Sequence, residues 1–222
     1  MSDTDELRDL VDRWVEGWSI SRSAQASREG SGAGSSAGSN GAWLVEVAAA
    51  TRLRERVVAD PSVAELRRLV AATSDPATWL SIVGELDDGL LDTLKPLEPV
   101  THAERMMTTT LSRRPTSEEV ILEMDRRVAH ARVEIDGRVA ARGQAVVVGR
   151  HAVIDRISTE PEFRRRGLGR LVMAGLENRA IAGGATIGLL FASVDGRRLH
   201  DGLGWREVAP LVTYRGRRTA GG

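Results

Sequence analysis

From residue 129 to residue 182 the chain has little freedom in what it can fold into. Ala129 to Ile135 is an extended run closed by Asp136-Gly137, the pair favoured in a type I′ hairpin turn. Val139 to Val148 follows, then Gly149-Arg150, then Ala152 to Thr159, so three strands joined by tight turns form an antiparallel meander. Pro161 ends the third strand. A helix is predicted over about 168–182, because Leu168, Leu171, Val172, Gly175, Leu176 and Ala180 share one face and Gly183-Gly184 stops it. Thr186 to Ser193 is almost wholly apolar, the pattern of a strand buried on both faces. A short helical turn, Arg197 to Asp201, and a strand, Glu207 to Tyr214, follow. This order of elements indicates an α+β fold with a mixed, mostly antiparallel central sheet flanked by helices.

The rest of the chain excludes several alternatives. Cysteine is absent, which removes disulfide frameworks, thiolate metal sites and cysteine nucleophiles together. Thirty-one basic residues balance thirty-one acidic ones, so no global field draws the protein to nucleic acid or anionic lipid. With one tyrosine and two phenylalanines there is no base-stacking platform either, and the five tryptophans are expected in cores. The longest mainly apolar stretch without a charge, Ala180 to Val194, is fifteen residues and is broken by Gly183, Gly184 and Gly188. A spanning helix needs about 20. The acidic start (Asp3, Asp5, Glu6) is unlike an export signal, so a cytoplasmic protein is expected, without a membrane or nucleic-acid partner. His102, His130 and His151 are scattered without metal-ligand spacing, so no metal is expected.

Residues 1–105 read as an N-terminal lobe. Leu7, Leu10, Val11, Trp14, Val15 and Trp18 form the stripe of an amphipathic helix. Residues 21–41 are Ser, Ala and Gly with almost nothing to bury, and are expected to be a flexible loop. Trp43 to Val47 and Trp79 to Val83 read as strands and Ser62 to Thr73 as a helix, with a further strand from Met106 to Leu111. Asp87, Asp88 and Asp92 can attract a cationic ligand or simply form a solvated helix face. Residues 217–222 are expected to be a disordered tail.

Chemistry concentrates where the third strand of the meander hands over to the helix: Thr159-Glu160-Pro161-Glu162-Phe163-Arg164-Arg165-Arg166-Gly167-Leu168-Gly169-Arg170. The first turn of a helix carries unpaired N–H groups and partial positive charge, which attract phosphate. Gly167 and Gly169 let that backbone approach an anion without a Cβ in the way, and the arginines add charged donors. The spacing is not Gly-x-Gly-x-x-Gly and the preceding strands are antiparallel, which argues against a dinucleotide fold.

Here the sequence resembles the GNAT superfamily of acetyl-CoA-dependent N-acetyltransferases. Arg164, Gly167 and Gly169 match its Arg/Gln-x-x-Gly-x-Gly/Ala signature, and Ile157-x-Thr159-x-Pro161 fits the end of the strand before it. Leu199-His200-Asp201-Gly202-Leu203-Gly204-Trp205 matches a second motif, Leu-Tyr-x-x-x-Gly-Phe. The resemblance covers residues 106–216 and implies the GNAT acyl-CoA N-acyltransferase fold with that stretch as its catalytic core. It further implies acetyl-CoA as acyl-donor substrate and, as acceptor, the amine of a small molecule or a protein. The chain would act as a monomer or homodimer.

The resemblance also implies roles. The pyrophosphate would lie on the amides of Arg165, Arg166, Gly167, Leu168, Gly169 and Arg170, with Arg164 beside them. The pantetheine arm would enter between strands 152–159 and 186–193, which splay apart in this family. There it would pair with Ile157, Ser158 and Thr159 as an added strand, and an amide of that stretch would polarise the thioester carbonyl. The family's usual acid is a tyrosine; His200 stands in its place and titrates ordinarily near pH 6.5. Ser193 stands where the family often has asparagine. For the base, strand alternation puts Asp155 on the same face as Ile157 and Thr159; an ion pair with Arg156 or Arg142 is the alternative. A CoA-binding regulatory module without turnover is the competing function, and an arginine-mediated interaction protein the third.

Overall fold

The computed structural model describes residues 3–29 and 41–217. In chain order the elements are α1 (Asp3–Ser21), β1 (Gln25–Arg28), β2 (Trp43–Ala49), β3 (Arg52–Ala59), α2 (Val63–Ala72), β4 (Thr78–Val83), α3 (Asp88–Leu94) and β5 (Glu98–Thr110). They continue with β6 (Val120–Asp125), β7 (Val128–Ile135), β8 (Arg138–Val148), β9 (His151–Thr159), α4 (Leu168–Ala182), β10 (Ile187–Ala192), α5 (Val194–Asp201) and β11 (Arg206–Arg215). Two compact units result: one holds the residues up to Val15, Arg22–Met106 and the chain from Val208, the other Glu16–Ser21 and Met107–Glu207.

In the first unit the strand order is β1-β2-β3-β4-β11, with the start of β5 next to β11. β3 and β4 run parallel because α2 carries the chain back between them. Ser62 caps α2 by accepting from Glu65 N at 3.2 Å, and α2 and α3 bury Leu66, Leu69, Leu90 and Leu94 on Leu80, Ile82 and Tyr214. Asp87 caps α3 and Asp92 pairs with Lys95, so these acids serve the helix. β1 corrects the expectation of a loop throughout 21–41: residues 25–28 pair antiparallel with β2, since backbone hydrogen bonds need no apolar side chain. The remainder of that expectation, residues 30–40, and the tail 218–222 lie outside the described residues.

The second unit holds the end of β5 followed by β10-β9-β8-β7-β6. The meander has four strands, β6 preceding the three predicted. One face is covered by α4, whose Leu168, Val172, Met173 and Leu176 are buried against Ala131, Ala145, Ile154 and Leu190. The other face takes the end of α1, where Ile20 packs on Val128, Val146 and Val148. Among the described residues no helix is long and apolar enough to cross a membrane.

Candidate active site

The site starts from a fork in the sheet. β9 and β10 pair in parallel only from Ile187↔His151 to Leu189↔Val153. Beyond Val153 the two strands part, so the edge of β9 at Ile157, Ser158 and Thr159 faces away from any partner in β10. The splay implied by the sequence is therefore present.

Where β9 ends, a 3-10 turn (Pro161–Phe163) leads into α4. Gly167 sits at the N-cap with φ +79°, a conformation in which side chains with a Cβ are strained, and a Cβ there would point into open space. The first helical amide to find a main-chain partner is Arg170 N, 2.9 Å from Gly167 O. Among the described residues no main-chain carbonyl takes the amides of Arg165 to Gly169, so they form an open cluster of donors. The arginines divide. Arg164 folds back to donate to Thr159 O at 3.3 Å, and Arg170 reaches Gly202 O at 2.9 Å, tying α4 to the end of α5. Arg165 and Arg166 are exposed beside the open amides, Arg166 lying 5.7 Å from the Phe163 ring.

Asp155 and Ile157 do not share a face, as unbroken alternation would have them do. Arg156 has φ +57°, and the β8–β9 register shifts between Arg142 and Gln144, so β9 carries a bulge there. The extra residue reverses the parity of everything after it. Ile157 turns to the α4 face, where its Cδ1 fills the space a Cβ on Gly143 would take. Asp155 stays on the α1 face: its Oδ2 is 3.5 Å from Ser21 Oγ and 3.4 Å from Gln144 Nε2, and its Oδ1 accepts from Arg156 N at 2.7 Å. Asp155 and the Ile157–Thr159 edge thus meet at one bulge from opposite faces. Gly143, between Arg142 and Gln144 inside β8, is the signal that points to this: an interior strand glycine marks a bulge or a close backbone approach.

His200 is buried, not solvent-facing, with 4% of its surface exposed. Its ring meets Trp205 edge-on at 5.8 Å, and among the described residues Nδ1 has no hydrogen-bond partner. Burial pushes its pKa down to about 4, against a smaller opposing pull from Asp201. At neutral pH burial favours the uncharged ring, which can still donate a hydrogen bond through its N–H. Ser193 caps α5, accepting from Gly196 N at 3.2 Å, and so positions the helix that carries His200. Ser21 and Gln144 at the bulge had no motif to announce them, whereas Trp205 behind His200 stands at the aromatic position that closes the second motif.

With this geometry established, the comparisons with known proteins decide the family. The family model of the acetyltransferase (GNAT) family matches residues 90–204. The chain belongs to the GNAT acetyltransferase family. This GNAT protein is an acyltransferase, and its α+β architecture is that of GNAT structures along nearly the whole chain. A GCN5-related N-acetyltransferase from Kribbella flavida is 17% identical, with a TM-score of 0.64 over 96% of each chain. A protein of the GNAT family from Novosphingobium aromaticivorans is 16% identical, with a TM-score of 0.62 over 95% of this chain and 97% of that one. At such identities the likeness is one of fold. No curated protein matches the chain. Among the described residues no group of His, Cys, Asp or Glu is arranged to hold a metal ion.

Proposed function

We propose that this GNAT acyltransferase moves the acetyl group of acetyl-CoA to a primary amine by direct attack on the thioester. The observation that carries this is the fork at Leu189↔Val153, which opens a strand edge leading from the bare amides of α4 to the bulge. The pyrophosphate binds on the open amides of Arg165 to Gly169, with Arg165 and Arg166 as solvated counter-charges. The pantetheine adds along Ile157, Ser158 and Thr159. The amine approaches from the α1 face, where Asp155 takes its proton, and an amide at the bulge holds the carbonyl oxygen as charge develops. The new C–N bond forms as the C–S bond breaks. The departing thiolate accepts a hydrogen bond from the neutral ring of His200 and takes its proton from solvent.

The acceptor is a small-molecule or protein amine, and the supply of acetyl-CoA makes the cytoplasm the working compartment. Thiol release from acetyl-CoA across a panel of amines tests the proposal. Turnover with at least one amine is expected, falling about tenfold in His200→Phe with coenzyme affinity kept, the worth of one hydrogen bond to a charged group. Absence of heat on titrating acetyl-CoA into the protein sinks it.

A further inference from the structure

Glu177 lies at neither end of the site, yet its contacts lead to His200. It is on α4 and wholly buried. Its Oε2 pairs with Arg114 Nε, and its Oε1 accepts from Trp205 Nε1 at 3.1 Å. Arg114 also donates to Leu203 O, and it exchanges two bonds with Asn178, giving its N–H to Oδ1 at 2.9 Å and receiving Nδ2 on its carbonyl at 2.7 Å. One ion pair, with Glu177 wholly buried and Arg114 partly so, therefore fastens the segment around Arg114 and the loop at 203–205 to α4.

Stability does not require such a pair. Desolvating two charges costs much of what their attraction returns, and apolar residues of similar volume often hold a fold as well. What a carboxylate supplies and a leucine cannot is direction, because it fixes the indole N–H of Trp205 at one angle. Trp205 in turn governs His200. Its ring is the edge-on neighbour at 5.8 Å, and its amide, with that of Leu203, donates to His200 O at 3.1 and 2.9 Å. Among the described residues His200 Nδ1 has no hydrogen-bond partner, so packing against Trp205 is left to set the plane of the ring.

We propose that Glu177 is a positioning residue for acyl transfer, holding Trp205 and through it the orientation of the His200 ring. This rests on His200 acting at the thioester. Glu177 itself touches no reacting atom.

The test uses two variants of the full chain, Glu177→Gln and the double variant Arg114→Met/Glu177→Leu, which removes both charges of the pair and leaves neither unpaired. Each is followed by steady-state kinetics and by NMR of the His200 ring and the Trp205 indole N–H. Gln keeps an acceptor oxygen for Trp205, so kcat is expected within about threefold of the parent. The double variant is expected to stay folded yet lose about tenfold in kcat, with KM for acetyl-CoA within about twofold and the His200 ring resonances displaced. A folded double variant with parental kcat and unmoved resonances overturns the proposal. Should the parent show no turnover with any amine, the acetyl-transfer reading falls, and the NMR arm still decides whether Glu177 orients the ring.

Discussion

The two ends of the candidate site are made of different materials. At the α4 end, the donors are main-chain amides, the charges are exposed arginines and Gly167 keeps the approach open. At the α5 end, the candidate group is one side chain, His200, buried and held by its neighbours. In the proposed acetyl transfer, the difference follows from the chemistry each end would serve. A diphosphate carries full charge and accepts solvated partners, so backbone dipoles and screened arginines suffice. A thioester carries little charge until it reacts, and donors aimed at it act best where water is excluded.

If that contrast holds, substitutions at the bulge and α5 lower turnover, whereas those at α4 weaken coenzyme binding. The largest expected effect is at Asp155. Asp155→Asn keeps the shape and the acceptor oxygen for Arg156 N but removes the proton acceptor. Loss of a general base is worth about 10²- to 10⁴-fold, so kcat is expected to fall by at least about 100-fold with KM for acetyl-CoA little changed. A smaller loss assigns the proton to water and leaves Asp155 as a partner of Ser21 and Gln144.

Next is the pH dependence of folding. His200 has a folded pKa of about 4, depressed from its ordinary 6.5 by burial. Between those values the unfolded chain binds the proton and the folded one does not. Stability from this group is therefore complete above pH 6.5 and falls as the pH drops toward 4, by about 3 kcal/mol in all and about 2 kcal/mol by pH 5. Urea unfolding of the parent and of His200→Phe between pH 7 and 5 should converge by that amount. Parallel curves show a His200 ring that takes up its proton in the folded state as readily as in water.

The same contrast explains what could be read before any coordinates. Glycines are written in the sequence, so the start of α4 and its stop were legible from Gly167, Gly169 and Gly183-Gly184, while the splayed edge after Val153 was implied by the family resemblance alone. Burial is not written there. Nothing in Leu199-His200-Asp201 distinguishes a helix residue facing water from one under Trp205, and the fate of its proton depends on that difference. Asp155 and Ile157 were put on one face for a related reason: alternation assumes an unbroken strand, and one residue at φ +57° reverses it. β3 shows no apolar run at its start, Arg-Leu-Arg-Glu-Arg, and only its pairing with β2 and β4 defines it. β6, at the sheet edge with Leu122 and Met124 exposed, shows no inside-outside pattern to detect.

At the phosphate end two substitutions of unequal size separate backbone from charge. Gly167→Val forces a β-branched residue out of φ +79°, a strain of about 1–2 kcal/mol that the turn relieves only by moving its amides. Acetyl-CoA affinity measured by calorimetry is expected to weaken about tenfold, with kcat at saturating coenzyme near the parental value. Arg166→Ala leaves every amide in place and removes one exposed charge, so a loss of about threefold is expected, shrinking as salt rises. If the arginine matters more than the glycine, the diphosphate is held by side chains rather than by the helix start. The two ends of the site would then differ in burial alone and not in the kind of group that does the binding.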